Sequence, residues 1–178
     1  MSEINHIVIT DDEESKKYID TPYIFMNKKK EPTTEKPPGA IIWRPYNLYF
    51  NEVKHLMKDG WVMYIDDDDR LHNDRSLQDI YNIIKNNNED TLIYFQMQYS
   101  NGHKLPPDNW NGIPQLNQIG GSCLIFHTKW LESVVWDEYS GGDFRMMNKL
   151  HNIIPNKIYI NKPIVFVNGV GSGKRIDI

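Results

Sequence analysis

Four aspartates in a row, Asp66-Asp67-Asp68-Asp69, close the apolar run Trp61-Val62-Met63-Tyr64-Ile65. Ionised carboxylates are pure acceptors, and two of them about 4 Å apart repel by roughly 4 kcal/mol at a protein-like effective dielectric. Such a set asks for a cation, and oxygen-only ligands favour Mg²⁺, Mn²⁺ or Ca²⁺ over zinc or copper. An EF-hand loop does not fit, because Arg70-Leu71-His72-Asn73 lacks both its central glycine and its closing glutamate. The rival reading is a solvated acidic turn. Asp143 is the second feature. It follows Gly141-Gly142 and precedes a helical pattern, where a carboxylate either caps the helix, worth about 1 kcal/mol, or acts as a general base.

These residues need elements to hold them. Trp61 to Ile65 predicts a short strand buried on both faces, so the carboxylates emerge at its carboxyl end, where open α/β sheets bind ligands. Alternation along an extended chain sends Asp66 and Asp68 the same way. Further strands are predicted at His6–Thr10, Tyr23–Met26, Ile41–Trp43, Thr91–Gln98, Ser122–His127, Lys157–Ile160 and Ile164–Asn168. Helices are predicted over 13–20, over 46–58 on the face of Leu48, Phe50, Val53, Leu56 and Met57, over 75–85 and over 144–150, with a short one at 128–133. The helix over 75–85 takes Asn73 or Asp74 as its cap and buries Leu77, Ile80, Tyr81 and Ile84. Residues 28–39, with three prolines, read as a mobile loop. The stretch 102–118, rich in Pro, Gly and Asn and carrying Trp110, is long enough to be a functional loop. One α/β domain over 1–178 accounts for this order.

Composition narrows the function. The chain has 178 residues, 39% hydrophobic and 25% charged, with net charge −4 and no long basic face, which argues against nucleic acid as a partner. Cys123 is alone, so no internal disulfide forms and a reducing compartment is expected. No apolar run approaches the ~20 residues of a membrane span, and the polar start is unlike a signal peptide. A cytoplasmic location is the expectation. The glycine-rich stretch Gly169 to Arg175 is not a P-loop, since Asn168 stands where the first glycine is required and no helix length follows Lys174. Lys174 or Arg175 folding over a diphosphate is a looser reading of the same tail. His72, His127 and His151 lack metal-ligand spacing and read as structural.

Taken in order, the motifs resemble glycosyltransferases of the GT-A fold, close to the large inverting family 2. "HIVITDDEES" is similar to that family's second strand with its acidic pair. "NLYFNEVKHLMKDGWVMYIDDDD" resembles its Asn-rich helix, glycine, hydrophobic strand and Asp-x-Asp. "RLHNDRSLQDIYNII", "TLIYFQMQY", "IGGSCLIFH" and "SGGDFRMMNKL" are similar to the segments that follow, so the likeness runs from about Ile4 to Lys149. Two departures stand out. If Ile7 to Thr10 is the second strand, the first is missing; alternatively it serves as the first. Phe50 occupies the place before Asn51 where the family often has Arg, and Arg44 is a candidate replacement.

The resemblance implies a Rossmann-like, mixed but mostly parallel sheet flanked by helices. It also implies a metal-dependent, inverting transfer of a sugar from a nucleotide-diphosphate donor, UDP being the commonest in this fold, to a carbohydrate or other hydroxyl acceptor. Asp66 and Asp68 become the metal pair, with Mn²⁺ or Mg²⁺ as cofactor, and Asp143 becomes the general base. Asp11, Asp12, Asn47, Asn51, Asp66, Asp67, Gly121 and Ser122 fall on the donor side, and Trp110 on the acceptor side. Local alternatives stay open: turn capping for Asp11 and Asp12, a tight turn for Gly120-Gly121-Ser122, a buried loop anchor for Trp110. A non-catalytic sugar-nucleotide-binding module is the rival function. A nucleotidyltransferase would want a Gly-rich basic loop after the first strand, and "ITDDEES" offers none.

Overall fold

Strand-forming and helix-forming stretches sort into two compact units in the computed structural model, which describes residues 4–66 and 69–168. The first unit holds 4–58 and 135–142, the second the remainder.

In the first unit, β1 (Val8–Thr10) and β2 (Tyr23–Phe25) pair in parallel as a sheet of their own, Val8 opposite Tyr23 and Thr10 opposite Phe25. Ile9 and Ile24 pack on a small core of Met26, Tyr49 and Val53. The helix expected over 46–58 is broken into a 3-10 turn (Pro45–Leu48), a single turn α1 (Tyr49–Glu52) and another 3-10 turn (Lys54–Leu56). Aromatic, Asn and β-branched residues are weak helix formers, and side-chain bonds compete here. Asn47 Nδ2 donates to the carbonyls of Asp137 (2.9 Å) and Tyr139 (3.3 Å). Asn51 donates to the Trp136 carbonyl (2.7 Å) and accepts from its N–H (3.0 Å). The strand expected at Ile41–Trp43 reduces to one bridge, Trp43 to Tyr139.

Residues 28–39 contain no regular element, but a loop without anchors is the wrong description. Glu138 is fully buried, and its carboxylate accepts from Thr33 and Thr34, through N–H and hydroxyl of each, and from Trp43 Nε1 (2.9 Å). Burial raises its pKa, yet the bonds from Trp43, Thr34 and Thr33 outweigh it and hold the group at about 2. A buried charge is tolerated when its lone pairs are filled, and here neutral donors do it.

The second unit is built on a six-stranded sheet of β3 (Trp61–Met63), β4 (Asp69–Leu71), β5 (Thr91–Tyr99), β6 (Lys104–Leu105), β7 (Leu124–His127) and β8 (Asn156–Val167). The order is β3-β7-β5-β8-β4, with β6 added to β5. Only β5 and β8 are parallel; the other pairings are antiparallel. The mostly parallel sheet expected from the resemblance is therefore corrected to a mixed, mainly antiparallel one. The reason is connectivity: β5 reaches β7 without a crossover helix, and parallel neighbours need one. β8 runs unbroken where two strands were expected, absorbing Asn161 to Pro163 in a bulge opposite Phe95 and Gln96. Proline has no N–H for the ladder, so it sits at that irregularity. α2 (Ser76–Lys85) opens where Asn73 Oδ1 accepts from Arg75 N (2.9 Å) and Ser76 Oγ accepts from Asn73 N (3.2 Å). It turns Ser76, Ile80, Ile83 and Ile84 inward and leaves Leu77 and Tyr81 exposed. α3 (Gly142–Ile153) buries Met146, Met147 and Leu150. No helix among the described residues is long and apolar enough to cross a membrane.

The sheet is curled, and the chain length requires it. β3 and β4 lie at opposite edges, four strand gaps apart, or about 19 Å if flat. The Asp69 N–H donates to the Asp66 carbonyl at 3.0 Å, which holds those residues within about 7 Å. Three extended steps from Met63 to Asp66 add only about 10 Å. A flat sheet would leave the edges too far apart.

Candidate functional site

Strand directions gather the chemistry at one end of this sheet. β3, β5 and β8 all point the same way; Tyr99 and Val167 end together, and Met63 ends level with Ile93, leaving the chain after β3 to run on towards that end. β4 and β7 run oppositely, so Asp69 and the 3-10 turn Gly121–Cys123 start at that same end. Asp69 and Tyr99 both pair in register with Val167, which puts their side chains on one face.

α3 brings Asp143 to the same place. Its carboxylate accepts from Phe144 N (2.8 Å) and is hydrogen-bonded by the backbone of Gly121. Desolvation is the largest influence on it and raises its pKa, against the lowering effect of those bonds and of the Arg145 guanidinium. Burial first, then the neighbouring Cys123 and the charges of Asp69, Asp143 and Asp66, push the Tyr99 phenol up to about 12. It therefore stays protonated near neutral pH. Cys123 is fully buried, its thiol pushed up to about 12 mainly by burial, and it donates to the Leu105 carbonyl (3.2 Å). It is an inert packing residue.

The chain thus unites Asp66, Gly121 and Asp143 from the predicted set, and adds Asp69 and Tyr99. Asp66 is exposed and Asp69 half-buried; Asp67 and Asp68 lie outside the described residues, as do Lys174 and Arg175. Among the described residues no three His, Cys, Asp or Glu side chains form a group able to hold a metal ion. Asp66 and Asp69 are linked through the backbone bond from Asp69 N to the Asp66 carbonyl; a Mg²⁺ site needs only one or two carboxylates when phosphate oxygens and water complete it. No protein-family model matches this chain, and no curated protein matches it.

Other predicted residues have different work. Ser122 is buried at 3% exposure in the 3-10 turn Gly121–Cys123. Trp110, 8% exposed, is the loop anchor and not a stacking surface: Tyr94 and Tyr159 pack edge-on at 5.0 and 4.9 Å between ring centroids, and Nε1 donates to the Ile113 carbonyl. Asn47 and Asn51 are committed to the backbone bonds described above. Asp12 accepts from the N–H groups of Glu14 (3.3 Å) and Ser15 (3.1 Å) and from the Ser15 hydroxyl, the turn-capping alternative. Asp11 accepts from the Tyr49 hydroxyl at 2.7 Å.

A shallow cleft of about 470 Å³ lined by Trp61, Asn87, Asn88, Glu89, Asp90 and His127 opens at the other end of the sheet. It is remote from the carboxylates, and Asp90 is already paired with Lys129 at 2.8 Å. Chemistry favours the strand end over this cleft. Tyr99 was missed in sequence because it reads as one more aromatic in a buried strand; only its place as the last residue of β5 hinted otherwise.

Proposed function

We propose that this protein is a metal-dependent, inverting glycosyltransferase of GT-A type, moving a sugar from a UDP-linked or similar nucleotide-diphosphate donor to a glycan or other hydroxyl acceptor. The observation that carries the reading is that Asp69 and Tyr99 share one face at the strand end, where the charges of Asp69, Asp143 and Asp66 all bear on the Tyr99 phenol. A Mn²⁺ or Mg²⁺ ion, when bound there, neutralises charge building on the diphosphate leaving group. Asp66 would hold it, with Asp68 as the partner expected from the Asp-x-Asp pattern and Asp69 as a further carboxylate at the same strand end. Asp143 removes the proton from the acceptor hydroxyl as that oxygen attacks the anomeric carbon. The bond from that carbon to the diphosphate oxygen breaks with inversion. A raised pKa makes Asp143 a stronger base than an ordinary carboxylate. The lone cysteine, reduced and buried, suits a cytoplasmic setting.

UDP-sugar turnover with Mn²⁺, and after chelation, tests this. Turnover that chelation abolishes and Mn²⁺ restores is expected; no turnover and no nucleotide binding defeats the proposal. The non-catalytic module is a second reading, favoured by the separate β1–β2 sheet and by the local engagement of Asp11, Asp12, Asn47 and Asn51. Donor binding without turnover, unchanged in Asp143→Asn, would support it.

A further inference from the structure

Three carboxylates can accept hydrogen bonds but not donate them, so a ligand rich in oxygen acceptors needs donors from elsewhere. Near this cluster the backbone N–H of Gly121 is engaged by Asp143, and the Arg145 guanidinium is coupled to the same carboxylate. Tyr99 differs. Its backbone N–H donates to the His103 carbonyl (2.8 Å) and its ring lies against the His103 ring at 5.6 Å between centroids. Its hydroxyl makes no hydrogen bond to another described residue. The side chain is half-buried, its ring held against His103.

Position gives that hydroxyl a purpose. Asp69 shares the Tyr99 face of the sheet across Val167. On the other flank, Met97, two residues earlier on the same face, lies against Gly120, where an added Cβ would stand 2.7 Å from its sulfur. Gly120 leads into Gly121, which bonds Asp143. Tyr99 therefore stands between Asp69 on one flank and the Gly120–Gly121 backbone that bonds Asp143 on the other. The geometry points to Tyr99 as a substrate-binding residue whose hydroxyl donates to an oxygen of the diphosphate–sugar moiety. This rests on the glycosyltransferase reading and adds to it a neutral donor set among acceptor-only groups.

The bland role, a tyrosine closing the β5–β6 hairpin, needs only the ring, and phenylalanine keeps that. The test compares wild type with Tyr99→Phe for binding of uridine, UDP and UDP-glucose by calorimetry in Mn²⁺, beside thermal melting. We expect UDP-glucose to bind about tenfold more weakly to the variant, as for loss of a hydrogen bond to a charged or strongly polar group. Uridine affinity and melting temperature stay unchanged. Equal UDP-glucose affinity in both proteins overturns the Tyr99 assignment and leaves the enzyme reading intact. A uniform loss for all three ligands, or a lowered melting point, overturns it in favour of the packing role. If wild type binds neither UDP nor UDP-glucose, the parent reading falls first and this one with it.

Discussion

Asp69 and Tyr99 flank Val167, each paired with it in register from opposite sides, so a carboxylate and a phenol from different strands share one face at the end of the sheet. Asp143 joins them from the helix that starts beside Gly121.

Asp143→Asn should abolish turnover, by at least about 100-fold, while leaving donor affinity near wild type. Because burial raises the folded pKa above the ordinary value of 3.8, the ionised form costs stability as pH rises through that interval and beyond. The Asn variant should therefore melt no lower than wild type at pH 7, since its amide oxygen can still accept from Phe144. In the wild-type enzyme, activity should rise with pH along the acid limb as Asp143 ionises. Melting curves and a pH profile of kcat/KM check both.

Glu138 has the opposite sign. Its folded pKa of about 2 lies below the ordinary 4.5, so its contribution is complete above pH 4.5 and is lost as pH falls towards 2. Glu138→Gln cannot accept all the bonds from Thr33, Thr34 and Trp43. It should cost about 2–3 kcal/mol, a fall of roughly 5–10 °C in Tm, and should flatten the acid dependence. Denaturation at pH 7 and pH 3 measures this.

Two glycines should respond differently to alanine. At Gly142 a Cβ would fall 2.8 Å from Asn47 Nδ2 and 2.9 Å from the Asp137 carbonyl, and the backbone atom cannot move aside. Gly142→Ala should cost about 1–3 kcal/mol. At Gly120 the obstacle is the Met97 sulfur, part of a flexible side chain, so Gly120→Ala should cost clearly less. Urea unfolding of both variants decides it.

Trp110→Ala should destabilise by about 3–5 kcal/mol, through loss of packing on Tyr94 and Tyr159. Its acceptor KM, measured below the melting transition, should match wild type. A selective rise in KM would restore the stacking role.

The sequence made some levels legible and not others. Local signals were strong where one physical preference ruled: the apolar run of β5, the Asn73 turn that leads into α2, the glycine pair at the start of α3. The broken helix over 45–56 was not legible, because Asn47 and Asn51 read as helix-face residues until their bonds to residues 136–139 are seen. Strand direction was equally hidden, since β7 and β8 have similar apolar patterns but opposite orientations. The Asp66 and Asp143 readings drew on motif order, whereas Tyr99 depended on sheet register. The Thr33–Glu138 bonds span 105 positions, beyond any local pattern.

β3 and β4 lie on opposite rims with only five residues between them in the chain, and the strands that fill the sheet between them all come later. Asp69 finds its neighbours only after residues 165–167 arrive to pair with β4. β8 thus governs where Asp69 comes to rest. Shortening β8 from its far end would disperse the cluster without touching a single acidic residue.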